Sequence, residues 1–287
     1  MKSIYTFIFM SLTILMTISK SYGHDNFPVL KGPYLGQNPP GKVAEVFAPG
    51  IVSTQYFEAF GVFTPNLKEF YFVRGGEKNK KHTLVVIKYE NNRWIESVVA
   101  PRVGEPFISP DGKIMYLGKK YMERTDSGWS EVKILGVPFE EIRIMRLTAS
   151  SKGIYVFDEA TKDGNGALRY SRLVDGKREK PKILSKEINT GKWNAHPFIA
   201  PDESYLIWDG EREDGYGESD LYISFRQKDA SWGPAINLGN NINSQFEDAF
   251  GSVTPDGKYF FFYRTVSPGN LDIFWADAQF IETLRPK

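Results

Sequence analysis

The chain repeats one turn five times, and two positions at fixed distances before this turn hold three acidic residues and one histidine. Seven residues before the turn lie Glu58, Val103, Arg143, Asn194 and Asp248, and five residues before it lie Phe60, Glu105, Met145, His196 and Phe250. Residues two apart on a strand point to the same side. Each position therefore predicts a ring of side chains at one mouth of a common channel.

Three interpretations of these rings remain open. The polar side chains could form a hydrogen-bonded plug that lines a watery channel. They could instead bind a polar ligand through Glu58, Glu105, Arg143, Asn194, His196 and Asp248. In the third interpretation His196 acts as an acid or base together with Glu58, Glu105 and Asp248, because proton transfer needs such groups near the reacting atoms.

An acidic hairpin is the second candidate site. Residues 209–220 contain six acidic side chains among three glycines, and the candidate metal ligands there are Asp209, Asp214 and Asp220. Calcium binds oxygen ligands of this kind, but the spacing departs from the usual calcium-loop pattern and Arg212 lies within it. A solvated loop is the alternative interpretation, and we expect no bound cofactor.

Five repeats must position these residues. The segment FTPNLKEFYF (63–72) returns as ISPDGKIMYL (108–117), TASSKGIYVF (148–157), IAPDESYLIW (199–208) and VTPDGKYFFF (253–262). Most copies have a turn in which proline presets φ and an Asp or Asn side chain caps the backbone, followed by an apolar tetrad. The spacing of 40 to 54 residues between copies fits four strands per repeat, the size of a β-propeller blade.

The two ends of the chain predict how the ring closes. The last copy ends after its third strand, and AEVFAPGIVS (44–53) resembles PAINLGNNINS (234–244), the fourth-strand segment of the preceding copy. An N-terminal strand that completes the last blade would remove exposed strand edges. The sequence therefore predicts an all-β fold, a β-propeller of five four-stranded blades over residues 44–287, with six blades as the alternative.

Two aromatic residues depart from the repeat. Trp129 and Trp232 open fourth strands, whereas Trp193 and Tyr216 flank the blade that carries His196. An exposed ring there could stack on a sugar, so both residues join the candidate ligand-binding set. Trp193 could alternatively be a displaced fourth-strand tryptophan of the third blade.

The repeats resemble those of a known family. TPDGKYFFF, SPDGKIMYL and APDESYLIW resemble the WD-like repeats of TolB-type periplasmic propellers, and DGEREDGYGESDLYIS (209–224) is similar to the hairpin repeat of propeller domains in envelope proteins of Bacteroidetes. The resemblance covers the chain from about Ala44 onward. It implies export, a ring of blades and binding of a protein partner or glycan at one face, and it assigns no chemistry.

The composition excludes several classes of function. The chain has 36 basic and 35 acidic residues, three histidines and no cysteine. Near-neutral charge argues against nucleic-acid binding, and the absence of cysteine excludes thiol catalysis and disulfides. The sequence also lacks the G-x-S-x-G, H-E-x-x-H, phosphate-loop and dinucleotide-binding motifs.

The N-terminal residues predict export. Lys2 precedes an apolar run from Ile4 to Ile18, and Ser21-Tyr22-Gly23 offers small residues for signal peptidase. We therefore expect a signal peptide over 1–23, an approach segment over 24–43 and the propeller over 44–287. The apolar run is short and no second one follows, so no membrane span would remain after cleavage. We expect a periplasmic or secreted monomer.

These observations favour one function and leave one alternative. We expect a non-catalytic binding module that recognises a glycan, a cell-wall fragment or an envelope protein, with no nucleic acid as partner. The alternative is a carbohydrate-active enzyme, either a lyase or a glycosidase, that uses the carboxylates and His196 at the channel mouth. Such an enzyme needs two carboxyl groups about 5 to 10 Å apart in an open pocket.

Overall fold

The chain forms a ring of five four-stranded blades. The computed structural model describes residues 28–76 and 81–287. The predicted all-β, five-bladed propeller is confirmed, and the six-bladed alternative is wrong. The predicted signal peptide, 1–23, and the first four residues of the predicted approach segment, 24–27, lie outside the described residues.

The first two blades follow one short strand, β1 (Glu45–Val46). Blade 1 consists of β2–β5, which span Glu58–Phe63, Glu69–Arg74, Thr83–Glu90 and Arg93–Pro101. Blade 2 consists of β6–β10, which span Pro106–Ile108, Ile114–Leu117, Lys120–Thr125, Gly128–Trp129 and Lys133–Ile134. Both β9 and β10 pair with β8, so they share the fourth-strand position.

The remaining three blades complete the ring. Blade 3 and its protruding hairpin consist of β11–β16, which span Leu147–Ala149, Tyr155–Asp158, Leu168–Ser171, Leu173–Val174, Lys177–Arg178 and Lys182–Ile183. Blade 4 consists of β17–β20, which span Lys192–Ile199, Tyr205–Glu211, Asp220–Phe225 and Ile236–Asn237. Blade 5 contains β21–β23, which span Asp248–Val253, Tyr259–Ser267 and Asn270–Asp277. Helix α1 (Phe280–Leu284) follows.

The ring closes through the N-terminal strand, as the sequence predicts. Strand β1 pairs antiparallel with β23, with Glu45 opposite Trp275 and Val46 opposite Phe274. Blade 5 thereby obtains its fourth strand from the other end of the chain. This closure protects the edge of blade 5 that would otherwise present unpaired backbone groups.

The innermost strand of three blades carries a bulge at the same place. The pairing registers of β2, β17 and β21 shift there, and Phe60, His196 and Phe250 have φ angles of 64°, 47° and 65°. A left-handed backbone is unfavourable for side chains of this size, so surrounding contacts must hold it. The bulges bring these three side chains together at the centre of the ring, where the Phe60 and Phe250 ring centroids are 4.8 Å apart.

The described part of the approach segment packs against the ring. The indole Nε1 of Trp94 in blade 1 donates a hydrogen bond to the Gly32 carbonyl at 2.8 Å, and the Tyr34 hydroxyl donates one to Asp256 of blade 5 at 2.6 Å. Residues 28–43 therefore brace the boundary at which the ring closes. Among the described residues, no helix has the length and apolar character needed to cross a membrane.

Candidate functional site

A buried histidine links blades 2 and 4 across the centre of the ring. His196 Nδ1 lies 3.0 Å from Asp209 of its own blade, and its Nε2 lies 3.5 Å from Oε2 of Glu105. All three residues are at most 8% exposed. The structure thus brings two of the predicted site residues together, Glu105 and His196, and adds Asp209, which the sequence placed in the acidic hairpin.

The charges around His196 decide its protonation state. Burial alone would lower the pKa of His196, but Asp209 and Glu105 outweigh it and raise the pKa to about 10. The imidazole is therefore a cation at neutral pH, held between two carboxylates. Burial raises the pKa of the neighbouring Asp158 to about 6, against the opposing effect of the His196 charge. A cation held in this way has no free lone pair with which to act as a base.

Arg146 is a member of the central cluster that the sequence did not predict. The side chain is 1% exposed, and its guanidinium lies 3.5 Å from the Phe250 ring centroid. It donates hydrogen bonds to the carbonyls of His196 and Gly251, both at 3.0 Å. Burial lowers the pKa of Arg146 to about 9, against the effect of nearby carboxylates.

In blade 3 the residue that reaches the centre is Arg146 rather than the predicted Met145, because the turn of this blade is shorter. The Ser150 amide bonds the carbonyl of Ile154, four residues later, whereas the corresponding bond in the other four copies spans five residues. The third turn is one residue shorter, so counting back from it selects Met145 where Arg146 reaches the centre. The same miscount placed Arg143 in the first ring, and the structure instead shows it as an exposed side chain.

The predicted residues Glu58 and Asp248 have partners within their own blades. Glu58 accepts hydrogen bonds from Thr54 and Arg74, and Asp248 accepts them from Ser244 and Arg264. Both carboxyl groups are fully buried. Burial raises the pKa of each, although these hydrogen bonds and arginines limit the rise. Both carboxylates fasten the loop before the innermost strand, and neither contacts His196.

Three other predicted residues, Arg143, Trp193 and Asn194, line one cavity. It has a volume of about 230 Å³ and lies between β17 of blade 4 and the segments of blade 3 that precede β11 and follow β12. Glu159 and Lys162 add charged groups to its wall. Glu159 binds Arg169 at 2.7 Å, and within the part of the chain that the structure describes the Arg143 guanidinium has no hydrogen-bond or ion-pair partner.

The backbone fixes the position of Trp193 in this wall. Trp193 has a φ of 53°, and its amide donates a hydrogen bond to the Gly164 carbonyl at 2.8 Å. A Cβ at position 164 would lie 2.4 Å from the indole ring, so only glycine lets the ring lie this close to the loop. The indole is nevertheless 45% exposed. Trp193 is therefore a rigid aromatic surface at the cavity entrance.

The acidic hairpin does not gather its three candidate metal ligands. Asp209 faces His196, and Asp220 accepts hydrogen bonds from the amides of Tyr216 and Gly217. Asp214 is exposed on a different cavity. In residues 28–76 and 81–287, no three His, Asp or Glu side chains are grouped to hold a metal ion. Tyr216, the other predicted aromatic residue, is 51% exposed on this hairpin.

Comparisons with known proteins identify the fold. No protein-family model matches the chain, and no curated protein matches it. The chain is similar to TolB from Acinetobacter baumannii, with 14% identity over 78% of this chain and 57% of that chain and a TM-score of 0.48. It thus spans little more than half the length of that TolB.

Two glycosidase structures are also similar. The catalytic domain of the Coprinopsis cinerea GH62 α-L-arabinofuranosidase has 11% identity over 76% of this chain and 89% of that chain, with a TM-score of 0.53. The Podospora anserina α-L-arabinofuranosidase in complex with cellotriose has 12% identity over 86% of this chain and 94% of that chain, with a TM-score of 0.49. At these identities the similarity concerns the fold alone. The resemblance to TolB-type propellers is confirmed at that level.

Proposed function

We propose that this chain is an exported binding module that recognises a glycan at the cavity between blades 3 and 4. The single observation that carries the proposal is the exposed Trp193 indole, held by a left-handed backbone against Gly164 at the entrance of that cavity. An aromatic surface that is already fixed costs little conformational entropy when a ligand stacks on it. Sugar rings offer an apolar face for such stacking.

Polar groups around Trp193 complement a sugar. Arg143 brings donors that no described residue occupies, while Glu159 and Lys162 supply an acceptor and a further donor on the same wall. A few polar groups around an aromatic surface are typical of small-ligand pockets. The volume of about 230 Å³ suits one sugar unit at the end of a longer chain, such as a cell-wall fragment.

The central cluster favours binding over catalysis. Glu58 and Asp248 are buried against arginines, and the His196 cation is held between Asp209 and Glu105. The alternative function, a lyase or glycosidase, requires substrate to reach Glu105 and His196, which are 6% and 8% exposed. The exposed groups near Trp193 can meet a ligand without any rearrangement.

The experiment is a glycan array probed with the mature chain, followed by product analysis of each bound glycan. We expect retention of a defined glycan class without cleavage products. Trp193→Ala should abolish the signal, while Phe246→Ala, which removes another ring that is 40% exposed, should retain it. Cleavage that is lost in His196→Gln would favour the enzyme. Absence of both binding and cleavage would leave an envelope protein as the remaining partner.

Export is part of the same proposal. Its basis is the signal-peptide pattern of residues 1–23, which lie outside the described residues. N-terminal sequencing of the protein from a periplasmic extract and from the medium tests it. We expect the mature chain to begin near His24 in one of these fractions, and an intact Met1 in both would contradict export.

A further inference from the structure

The boundary between blades 1 and 2 contains an arginine stacked on a tryptophan. Arg124 lies opposite Trp129 in the β8–β9 pair, with its guanidinium carbon 5.0 Å from the indole centroid. Arg124 donates two hydrogen bonds to Glu69 of blade 1, at 2.7 and 2.8 Å. Trp129 Nε1 donates one to the Tyr71 hydroxyl at 3.0 Å. A carboxylate and a phenol of blade 1 thus satisfy both donors of blade 2.

The boundary between blades 3 and 4 repeats the arginine and the tryptophan but not their partners. Arg226 lies opposite Trp232 as Arg124 lies opposite Trp129, with the guanidinium carbon 4.8 Å from the indole centroid. Glu69 of blade 1 and Ile154 of blade 3 occupy equivalent positions, because the carbonyl of each accepts the hydrogen bond from the first amide of the turn, Thr64 or Ser150.

Two residues further along the strand, blade 3 has Val156 where blade 1 has Tyr71. At these two positions blade 3 therefore offers neither a carboxylate nor a hydroxyl to blade 4. Among the residues that the structure describes, neither the Arg226 guanidinium nor Trp232 Nε1 has a hydrogen-bond partner.

A cavity of about 290 Å³ lies beside Arg226 and Trp232, next to the positions of Ile154 and Val156. Its lining includes the apolar residues Ile154, Val156, Leu184 and Ile199, the hydroxyl-bearing residues Tyr170, Ser185 and Ser231, and the arginines Arg172 and Arg226. Arg172 likewise has no ion-pair partner within the described chain, and its guanidinium carbon lies 5.4 Å from the Tyr170 ring centroid. The cavity thus combines apolar walls with the partly buried Arg226 and the exposed Arg172, neither of which has an ion-pair partner among the described residues.

We propose that this cavity binds a small monocarboxylic acid with an apolar tail. The carboxylate takes the place that the Glu69 side chain has at the other boundary, accepting hydrogen bonds from Arg226 and Trp232, and the tail packs on the apolar walls. Guanidinium groups bind carboxylates through two parallel hydrogen bonds, which favours an acid over an alcohol of the same size. The volume lies at the small end of ligand pockets, which limits the tail to a short chain.

Titration of the mature chain with hexanoate, followed by saturation-transfer NMR, tests the proposal. Hexanol, the uncharged counterpart, should bind at least about tenfold more weakly than hexanoate. Arg226→Gln should weaken hexanoate binding by about tenfold or more. The matched control, Lys228→Gln, removes an exposed cation of the same hairpin and should leave the affinity unchanged.

A second variant supplies the missing carboxylate from within the chain. Ile154→Glu should pair with Arg226 and abolish hexanoate binding, with the circular dichroism spectrum of the propeller retained. The proposal is overturned if hexanoate does not saturate, if hexanol binds as well, or if hexanoate affinity survives Arg226→Gln. Since Trp193→Ala should not alter hexanoate binding, failure of the glycan proposal and failure of this one can be told apart.

Discussion

The boundary between blades 1 and 2 and the boundary between blades 3 and 4 are built on one plan and have opposite properties. Both stack an arginine on a tryptophan, with nearly equal separations of 5.0 and 4.8 Å. Glu69 completes the first boundary with a charged pair, whereas Ile154 leaves a cavity at the second. Two side chains of the preceding blade, Glu69 and Tyr71 at the first boundary and Ile154 and Val156 at the second, therefore distinguish the packed contact from the cavity.

A similar contrast separates the mouth of the channel from the cavity beside Trp193. In blades 1 and 5 the acidic residue that begins the innermost strand is bound to an arginine on the next strand, through Glu58 with Arg74 and Asp248 with Arg264. Arg143 in blade 3 has no such partner among the described residues and lines the cavity beside Trp193. Polar groups are satisfied on one side of the ring and available for ligands on the other.

Glu69→Ile should have the largest effect, because it gives the first boundary the residue of the second. It leaves the partly buried Arg124 and the buried Tyr71 hydroxyl without their acceptor. Breaking a buried pair by removing one partner is strongly destabilising, and the partial exposure of Arg124 reduces the cost to about 2–3 kcal/mol in the free energy of unfolding. Urea denaturation monitored by tryptophan fluorescence measures it.

An exposed pair provides the control for that variant. Glu123 and Lys133 are 2.7 Å apart, but both side chains are nearly half exposed. Glu123→Ala should leave the urea midpoint close to that of wild type, because exposed ion pairs contribute little to stability. If Glu69→Ile lowered the stability of the protein no more than Glu123→Ala, the Glu69–Arg124 pair would not stabilise the first boundary, which would contradict the comparison.

Acid should remove the contribution of Glu69 gradually. Burial tends to raise the pKa of Glu69, but hydrogen bonds from Arg124 and Tyr71 prevail and hold the pKa below its ordinary value of 4.5. The unfolded chain then binds the proton more readily, so this stabilisation is complete above pH 4.5 and is lost as pH falls through the folded pKa. Urea midpoints of wild type and Glu69→Gln should converge on acidification, and a constant separation would contradict the assignment.

Arg226→Gln should have a smaller effect on stability than Glu69→Ile. Arg226 has only its contact with the Trp232 ring to lose, which amounts to about 0.5–1 kcal/mol at a partly exposed site. Arg124→Gln, the matched change at the other boundary, should cost more because it also strands the Glu69 carboxylate. Thermal denaturation of the two variants in parallel makes the comparison, and equal losses would refute it.

The repeats made the architecture predictable from the sequence. Turn residues such as Pro65 can be recognised locally in the sequence, and they predict the pairing of successive strands. The similarity of residues 44–53 to a fourth-strand segment likewise predicts that the N-terminal strand closes the ring. The pairing of Glu105 with His196 could also be anticipated, because counting back from turns of equal length places both at the channel.

Counting failed where one turn differs in length. The third turn is one residue shorter, so Arg146 rather than Met145 enters the central cluster, and only the loss of proline at Ser150 signals this in the sequence. The partners of Glu58 and the cavity at Arg226 depend on contacts between neighbouring strands and blades. Alignment of the tetrads does place Ile154 where Glu69 stands, and that substitution was the available signal.

The most direct test of ligand recognition at the cavity beside Trp193 is calorimetry with the glycan that binds most strongly to the array. Trp193→Ala should weaken binding by about tenfold or more, as expected for removal of a central aromatic contact. Phe246→Ala should change the affinity by less than about twofold, since surface residues outside a site contribute little. Equal affinities of wild type and Trp193→Ala would contradict the account.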